Sequence, residues 1–352
     1  CQNNGIRNST TANWTVHFPS TVSLYYTDDN ALTWHQTSPI SVPTYMQNYG
    51  AVEPCTVELP DGSLLTMMRT QLGQLWQSRT VDANAKQLTL GPATPAPFIS
   101  NDSPAWIKRL SHPRWNGTAV LILWINSGTS RPGYYYMGRN HAGAVYPIRP
   151  FLHAAISTDG GATFSGHREV LRDALLAEEP PHSDYGVAYS NGIENEDGSV
   201  MFVSGQSAGH MGTMRIDPRW LLETGASANF SDSTAQGSWA DTTSFTGDYI
   251  ADCLFFPGVT PVYSCDMPAE QCPRCGDGQG VALRKAPDGS QALCAELDHT
   301  KTQATWSWNF PSSPESFVEL EVYYEEGFSG ANISLTDHYA PNYDNSSDGA
   351  IS

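Results

Sequence analysis

Two segments of this chain fit one template, Ser/Thr-x-Asp-x-Gly-x-Thr-aromatic. They are Thr27-Asp28-Asp29-Asn30-Ala31-Leu32-Thr33-Trp34 and Ser157-Thr158-Asp159-Gly160-Gly161-Ala162-Thr163-Phe164, with Ala31 replacing the glycine in the first. The template has a mechanical meaning. A hydroxyl and a carboxylate two residues apart can take up backbone N–H groups across a tight hairpin. Gly161 supplies a backbone angle that a side chain resists, and Phe164 or Trp34 is expected to pack back beneath the turn. Thr80-Val81-Asp82-Ala83-Asn84 keeps only the hydroxyl and the acid of a third copy. A repeated hairpin staple implies a repeated β-unit, and such units stack into propellers.

Short β-rich runs separated by turn dipeptides agree with this. Val57-Glu58-Leu59 turns at Pro60-Asp61-Gly62 into Ser63–Met68. Thr118–Trp124 follows Asn116-Gly117, and Ile193-Glu194-Asn195 turns at Glu196-Asp197-Gly198 into Ser199–Val203. Asp-Gly and Asn-Gly between β-runs are strong hairpin signals. Helix signals are scarce; Pro218–Glu223, with Asp217 as N-cap and Pro at the first position, predicts one short helix. The expected fold is all-β: a six-bladed-type β-propeller, incomplete, with about four blades present, followed by the start of a β-sandwich. The predicted division is 1–245 propeller, 246–300 cysteine-containing connection and 301–352 sandwich segment, truncated. The sandwich reading rests on the alternation of Phe317–Tyr324, with Ala331–Leu335 as its partner strand.

The chain of 352 residues carries 18 Lys and Arg against 36 Asp and Glu, a net charge of −18. Such a field repels polyanions, which sets nucleic acid aside. An anionic substrate would need a local arginine cluster. No apolar run is long enough to span a bilayer. Seven cysteines and sequons at Asn8, Asn13, Asn116, Asn229, Asn332 and Asn345 point to a secreted or lumenal protein. Cys265, Cys272, Cys275 and Cys294 are read as disulfide partners, with a zinc site through the Cys-x-x-Cys pair as the alternative. His141, His153, His182 and His210 have no metal spacing, and neither a metal nor another cofactor is expected.

The staple template resembles the Asp-box of sialidases, and further segments resemble that family in order. Glu53 through Arg69 is similar to the sialidase stretch in which a glutamate precedes a hairpin ending in an arginine. Arg149–Ser157 resembles the family's arginine ahead of an Asp-box strand, and Ala188-Tyr189-Ser190 the segment of its nucleophilic tyrosine. The ordered set covers residues from about 53 to 205. What the resemblance implies is an exo-α-sialidase-like glycoside hydrolase acting on sialylated glycans or glycoconjugates. Tyr189 would be the nucleophile and Glu53 its proton acceptor, with Arg69 and Arg149 holding the sugar carboxylate and Asp184 and Tyr185 lining the pocket. Arginine's planar fork suits a carboxylate. A neutral phenol avoids pressing a second anion against the substrate's own charge.

Two family landmarks, a first arginine and the aspartic acid that protonates the leaving group, have no match in residues 1–52. Where a glutamate often closes the tyrosine's hairpin, Val203-Ser204-Gly205 stands. The competing reading is a propeller that binds glycans without hydrolysing them, or a hydrolase of another acidic sugar. Each residue also has a plainer role open to it: a strand tyrosine for Tyr189, a turn acceptor for Glu53, and ion-paired strand ends for Arg69 and Arg149.

Overall fold

The computed structural model describes residues 20–43, 50–81, 87–100, 102–126, 151–172, 185–205, 212–225, 287–295, 313, 315–324 and 326–328. It also describes short strands at 6–7, 14–16, 137–139, 145–149, 239–242, 259–261, 281–285, 305–308, 335–336 and 350–351. The described residues form an all-β structure whose central feature is three four-stranded antiparallel sheets, each a meander in chain order. Blade A is Val52–Glu58, Leu64–Arg69, Gln74–Arg79 and Thr94–Ile99. Blade B is Trp106–Arg109, Val120–Ile125, Phe151–Ser157 and Ser165–Arg172. Blade C is Asn191–Glu194, Val200–Ser204, Gly212–Ile216 and Val259–Pro261. Ahead of them, Tyr25–Tyr26 pairs with His35–Gln36, and Ser20–Gly50 and Val22–Ile40 bridge.

Alternation along the strands explains why these sheets stack. Successive side chains of a strand point to opposite faces. In Val120–Ile125 every residue is buried. Val120, Ile122 and Trp124 join a core with Leu65, Met67, Leu75 and Phe98 of blade A. Leu121, Leu123 and Ile125 join a second core with Val200, Phe202 and Ile216 of blade C. A strand covered on both faces has to be apolar throughout, which the run Val-Leu-Ile-Leu-Trp-Ile is. Blade A is served the same way: Met68 turns from the Leu65 and Met67 face towards Val22, Ile40 and Val42. Each core thus lies between consecutive units, the packing of propeller blades.

The two template turns are built alike. The hydroxyls of Thr27 and Ser157 donate to Asp29 and Asp159 and accept from the N–H of Ala31 and Gly161. Each aspartate then accepts from the N–H and hydroxyl of Thr33 or Thr163. Those threonine bonds, chiefly the hydroxyl's, hold the Asp159 carboxyl down at about 2. The stabilisation is therefore present above the ordinary carboxylate value and is lost as the pH falls from about 4 to 2. Asp159→Ala is expected to cost about 1 kcal/mol, as other lost turn caps do. Urea unfolding at neutral pH checks this, and an unchanged midpoint contradicts it.

The aromatic ends of the two turns differ. Phe164 meets Phe98 edge-on at 5.1 Å, so it does pack under its turn. Trp34, expected to do the same, is 61% exposed. Its turn closes a pair of two-residue strands that offers no covering blade face. Asp82 of the third copy lies outside the described residues.

Other expectations meet mixed outcomes. The helix after Asp217 is a 3-10 helix, Pro218–Leu222, capped by that aspartate through the Arg219 N–H. The strand expected at Phe317–Tyr324 is absent: residues 316–324 form no ladder, and Phe317 is 89% exposed. Alternation specifies two faces but not a partner, and no described strand pairs with this segment. Cys265, Cys272, Cys275 and the side chain of Cys294 lie outside the described residues; Cys55 is a free thiol. Asn116 sits exposed on a left-handed turn, φ 49°, ahead of Val120–Ile125. No described helix is long and apolar enough to cross a membrane.

One close approach is sharp enough to test. Gly166 has φ +70°, and a Cβ there would lie 2.0 Å from the Leu221 carbonyl oxygen. Backbone strain and overpacking together should make Gly166→Ala cost roughly 3 kcal/mol. A lowered melting temperature is expected; an unchanged one contradicts the close packing of the 3-10 helix on blade B.

Candidate active site

Arg69 ends the second strand of blade A and continues the face of Leu65 and Met67, which is turned towards blade B. Its cross-strand partner is Val52, whereas Met67 pairs with Cys55. Three steps on one strand against two on the other make a one-residue bulge at Glu53-Pro54. Bulges re-aim side chains. Here Glu53 takes φ 46°, and its carboxylate turns to Arg69, Oε2 to Nη1 at 2.7 Å.

Tyr189 comes from blade C, just ahead of Asn191–Glu194. It too is left-handed, φ 61°, an outlier for a bulky residue. Its hydroxyl donates to Glu53 Oε1 at 3.1 Å and accepts from Arg69 Nη1 at 3.3 Å. The segment is fixed from behind: Val187 N–H donates to the Arg149 carbonyl at 2.8 Å and Gly205 N–H to the Ala188 carbonyl at 3.0 Å. Ser204, the last residue of Val200–Ser204, donates to the Val187 carbonyl and bonds the Ser190 hydroxyl at 2.9 Å. Tyr189 itself is 44% exposed. Partial burial raises the phenol above the ordinary tyrosine value and the Glu53 charge adds to this, while Arg69 and Arg149 pull it down.

Arg149 precedes the third strand of blade B and is 1% exposed. Its guanidinium carbon lies 5.9 Å from the centre of the Tyr189 ring. Nε donates to Ser103 Oγ at 2.9 Å and Nη2 to the Asp102 carbonyl at 3.0 Å. The backbone of Tyr185–Gly186 runs parallel beside Ile148 and Arg149. Asp184 lies outside the described residues, as does the Tyr185 side chain.

Glu53, Arg69, Arg149 and Tyr189, spread over more than a hundred residues of sequence, therefore meet at one place. Sequence reading missed the residues that hold the arginines. Asp102, 6% exposed and left-handed at φ 59°, accepts from Arg69 Nε at 2.9 Å, Arg69 Nη2 at 2.7 Å and Gln71 Nε2 at 3.1 Å. In sequence Asn101-Asp102-Ser103-Pro104 reads as one more polar turn. The available signal was an acid in a loop of a chain whose arginines are few. Among the described residues no three His, Cys, Asp or Glu side chains are grouped to hold a metal ion.

No family model and no curated protein matches the chain. Among solved structures it is similar to that of NanB with optactamide, at 20% identity, 53% of this chain and 24% of that one, TM-score 0.33. It is likewise similar to the intramolecular trans-sialidase from Ruminococcus gnavus with oseltamivir carboxylate, at 18% identity, 52% and 33% coverage, TM-score 0.31. Trypanosoma rangeli sialidase gives 13% identity, 53% and 25% coverage, TM-score 0.31. The chain spans a quarter to a third of the length of these three.

Proposed function

We propose that the chain carries the nucleophile and arginine part of a sialidase-type active site, in an exo-acting glycoside hydrolase that removes terminal sialic acid from glycoconjugates. The observation that supports this most is the Tyr189 hydroxyl lying 3.1 Å from a carboxylate and 3.3 Å from a guanidinium. A phenol is a weak nucleophile until a base takes its proton. Glu53 is that base: Tyr189 Oη bonds to the anomeric carbon as its proton passes to Glu53, and the bond to the leaving oxygen breaks, that oxygen keeping the electron pair and taking a proton from solvent. Water then attacks the anomeric carbon of the glycosyl–tyrosine, the bond to Tyr189 Oη breaks, that oxygen takes back the proton held by Glu53, and the water's lost proton goes to solvent. Arg69 and Arg149 offset negative charge on the tyrosine oxygen and attract the sialate carboxylate against the chain's overall charge of −18.

The template turns serve as Asp-boxes, away from the chemistry. The propeller takes in residues 1–245 and runs past them, since Val259–Pro261 is the fourth strand of blade C; the sequons support a secreted or lumenal setting. The second reading, a glycan-binding propeller without turnover, is favoured by the pairing of both described carboxylates at the site with Arg69, which leaves neither placed to protonate a leaving group. A fluorinated sialosyl fluoride, which glycosylates a nucleophile but is released slowly, separates the two. The expected result is a mass increase on the peptide containing Tyr189. Adduct on another residue would sink the assignment of Tyr189, and reversible binding without adduct would favour the glycan-binding reading.

A further inference from the structure

We propose, building on the sialidase-type reading of the site, that Asp102 is its positioning residue, a bracket between blades A and B that aims both arginines at Tyr189. Asp102 lies on the connection between Thr94–Ile99 and Trp106–Arg109, so it belongs to neither arginine's strand. One carboxylate oxygen takes two N–H bonds from Arg69, and the other takes Gln71 Nε2. With Nε and Nη2 held on that side, Nη1 is left pointing at Glu53 and Tyr189. The carbonyl of the same residue accepts from Arg149, and the next hydroxyl, Ser103, takes the Arg149 Nε. The left-handed backbone lets side chain and carbonyl serve two arginines at once, and the Asp102 N–H is tied to the Thr70 carbonyl at 2.8 Å. Nine-tenths burial of such a carboxylate is tolerable because it is paired with arginine. Asp102 touches neither the phenol nor any reacting atom; it acts through Arg69 and Arg149.

Among the described residues, the charged groups around the Tyr189 hydroxyl are Glu53, Arg69, Arg149 and, behind the arginines, Asp102, and this makes the test directional. In the full chain, Tyr189 is titrated by phenolate absorbance, using the same background with Tyr189→Phe as the blank. Asp102→Gly keeps the backbone angle without strain and removes the tether. If Asp102 positions Arg69, the guanidinium swings away, Glu53 is left uncompensated, and the Tyr189 titration moves up by about one pH unit. If Asp102 only fills a turn, Arg69 stays and loses a neutralising partner, so the titration moves down or not at all; either result overturns the proposal. Asp102→Asn also accepts the left-handed angle and keeps an oxygen for Arg69. It should titrate at or below the wild-type value, and a rise equal to that of the glycine variant would likewise overturn the proposal. The readout needs no substrate. Absence of a Tyr189 adduct from the fluorinated sialosyl fluoride would sink the sialidase reading alone, and a titration that fails to rise would sink the bracket alone. Where hydrolysis is present, the glycine variant should also lose about tenfold or more in kcat/KM, with the asparagine variant recovering most of it.

Discussion

Tyr189→Phe in the hydrolytically competent protein is expected to lower kcat/KM on sialosides by about 10³-fold or more while leaving the fold intact. The substitution deletes one oxygen. The ring keeps its place with Arg149 5.9 Å from its centre, and Glu53 and Arg69 still bond each other at 2.7 Å. Two bonds to a half-exposed hydroxyl are lost, worth about 1 kcal/mol of stability between them. Affinity for free sialic acid should change little, because the arginines are untouched, so the loss falls on kcat rather than on binding. Glu53→Gln should be milder than Tyr189→Phe, since an amide still accepts the phenol's hydrogen bond but takes no proton. Unchanged turnover in the phenylalanine variant would show that the nucleophile is elsewhere.

The second large effect concerns the leaving group. Both described carboxylates at the site are bonded to Arg69, and Glu53 is bonded to Tyr189 as well. Neither is placed as a proton donor to a glycosidic oxygen. General-acid assistance typically supplies a factor of about 10²–10⁴, and an aryl leaving group needs little of it. The chain assayed as it stands is therefore expected to prefer an aryl sialoside over a natural alkyl sialoside by about 10²-fold or more. A steep dependence of rate on the acidity of the leaving alcohol is the expected signature. Equal rates on both substrate types would reveal an acid among the residues of this chain.

Much of this arrangement was legible in the sequence, for identifiable reasons. Strand and turn signals are local: Pro60-Asp61-Gly62 fixes a hairpin, and Asp61 indeed accepts the Ser63 N–H at 2.9 Å. The fully apolar run Val120–Ile125 states that both its faces are covered. What was not legible is what depends on a partner. Trp34 and Phe164 occupy the same template position, yet among the described residues only Phe164 has a neighbouring blade to cover it. The alternation of Phe317–Tyr324 carried no information about whether a second strand would meet it. At the site, order along the chain brought Glu53, Arg69, Arg149 and Tyr189 to attention, but not where each arginine's fork would point. Arg69 is aimed by Asp102, and a left-handed aspartate in a polar turn looks like any other turn aspartate. Pro54 inside a strand was the one local hint of the Glu53 bulge, because proline enters sheets mainly at edges and bulges.

Glu53, Asp102 and Tyr189 share a left-handed backbone, and among the described residues they are three of the six non-glycines with positive φ. Each such position costs of order 1 kcal/mol or more, and glycine or asparagine would relieve it. Selection for folding alone would erode all three, because drift towards the relaxed residues is both frequent and stabilising. These positions therefore act as a tally of use in any lineage of this chain. A descendant that had given up chemistry should first show Gly or Asn at 189 and 53, while its blades stayed unchanged. Measured stability would then rise along that branch as activity fell, leaving a sturdier protein with an empty niche where a tyrosine had been kept under tension.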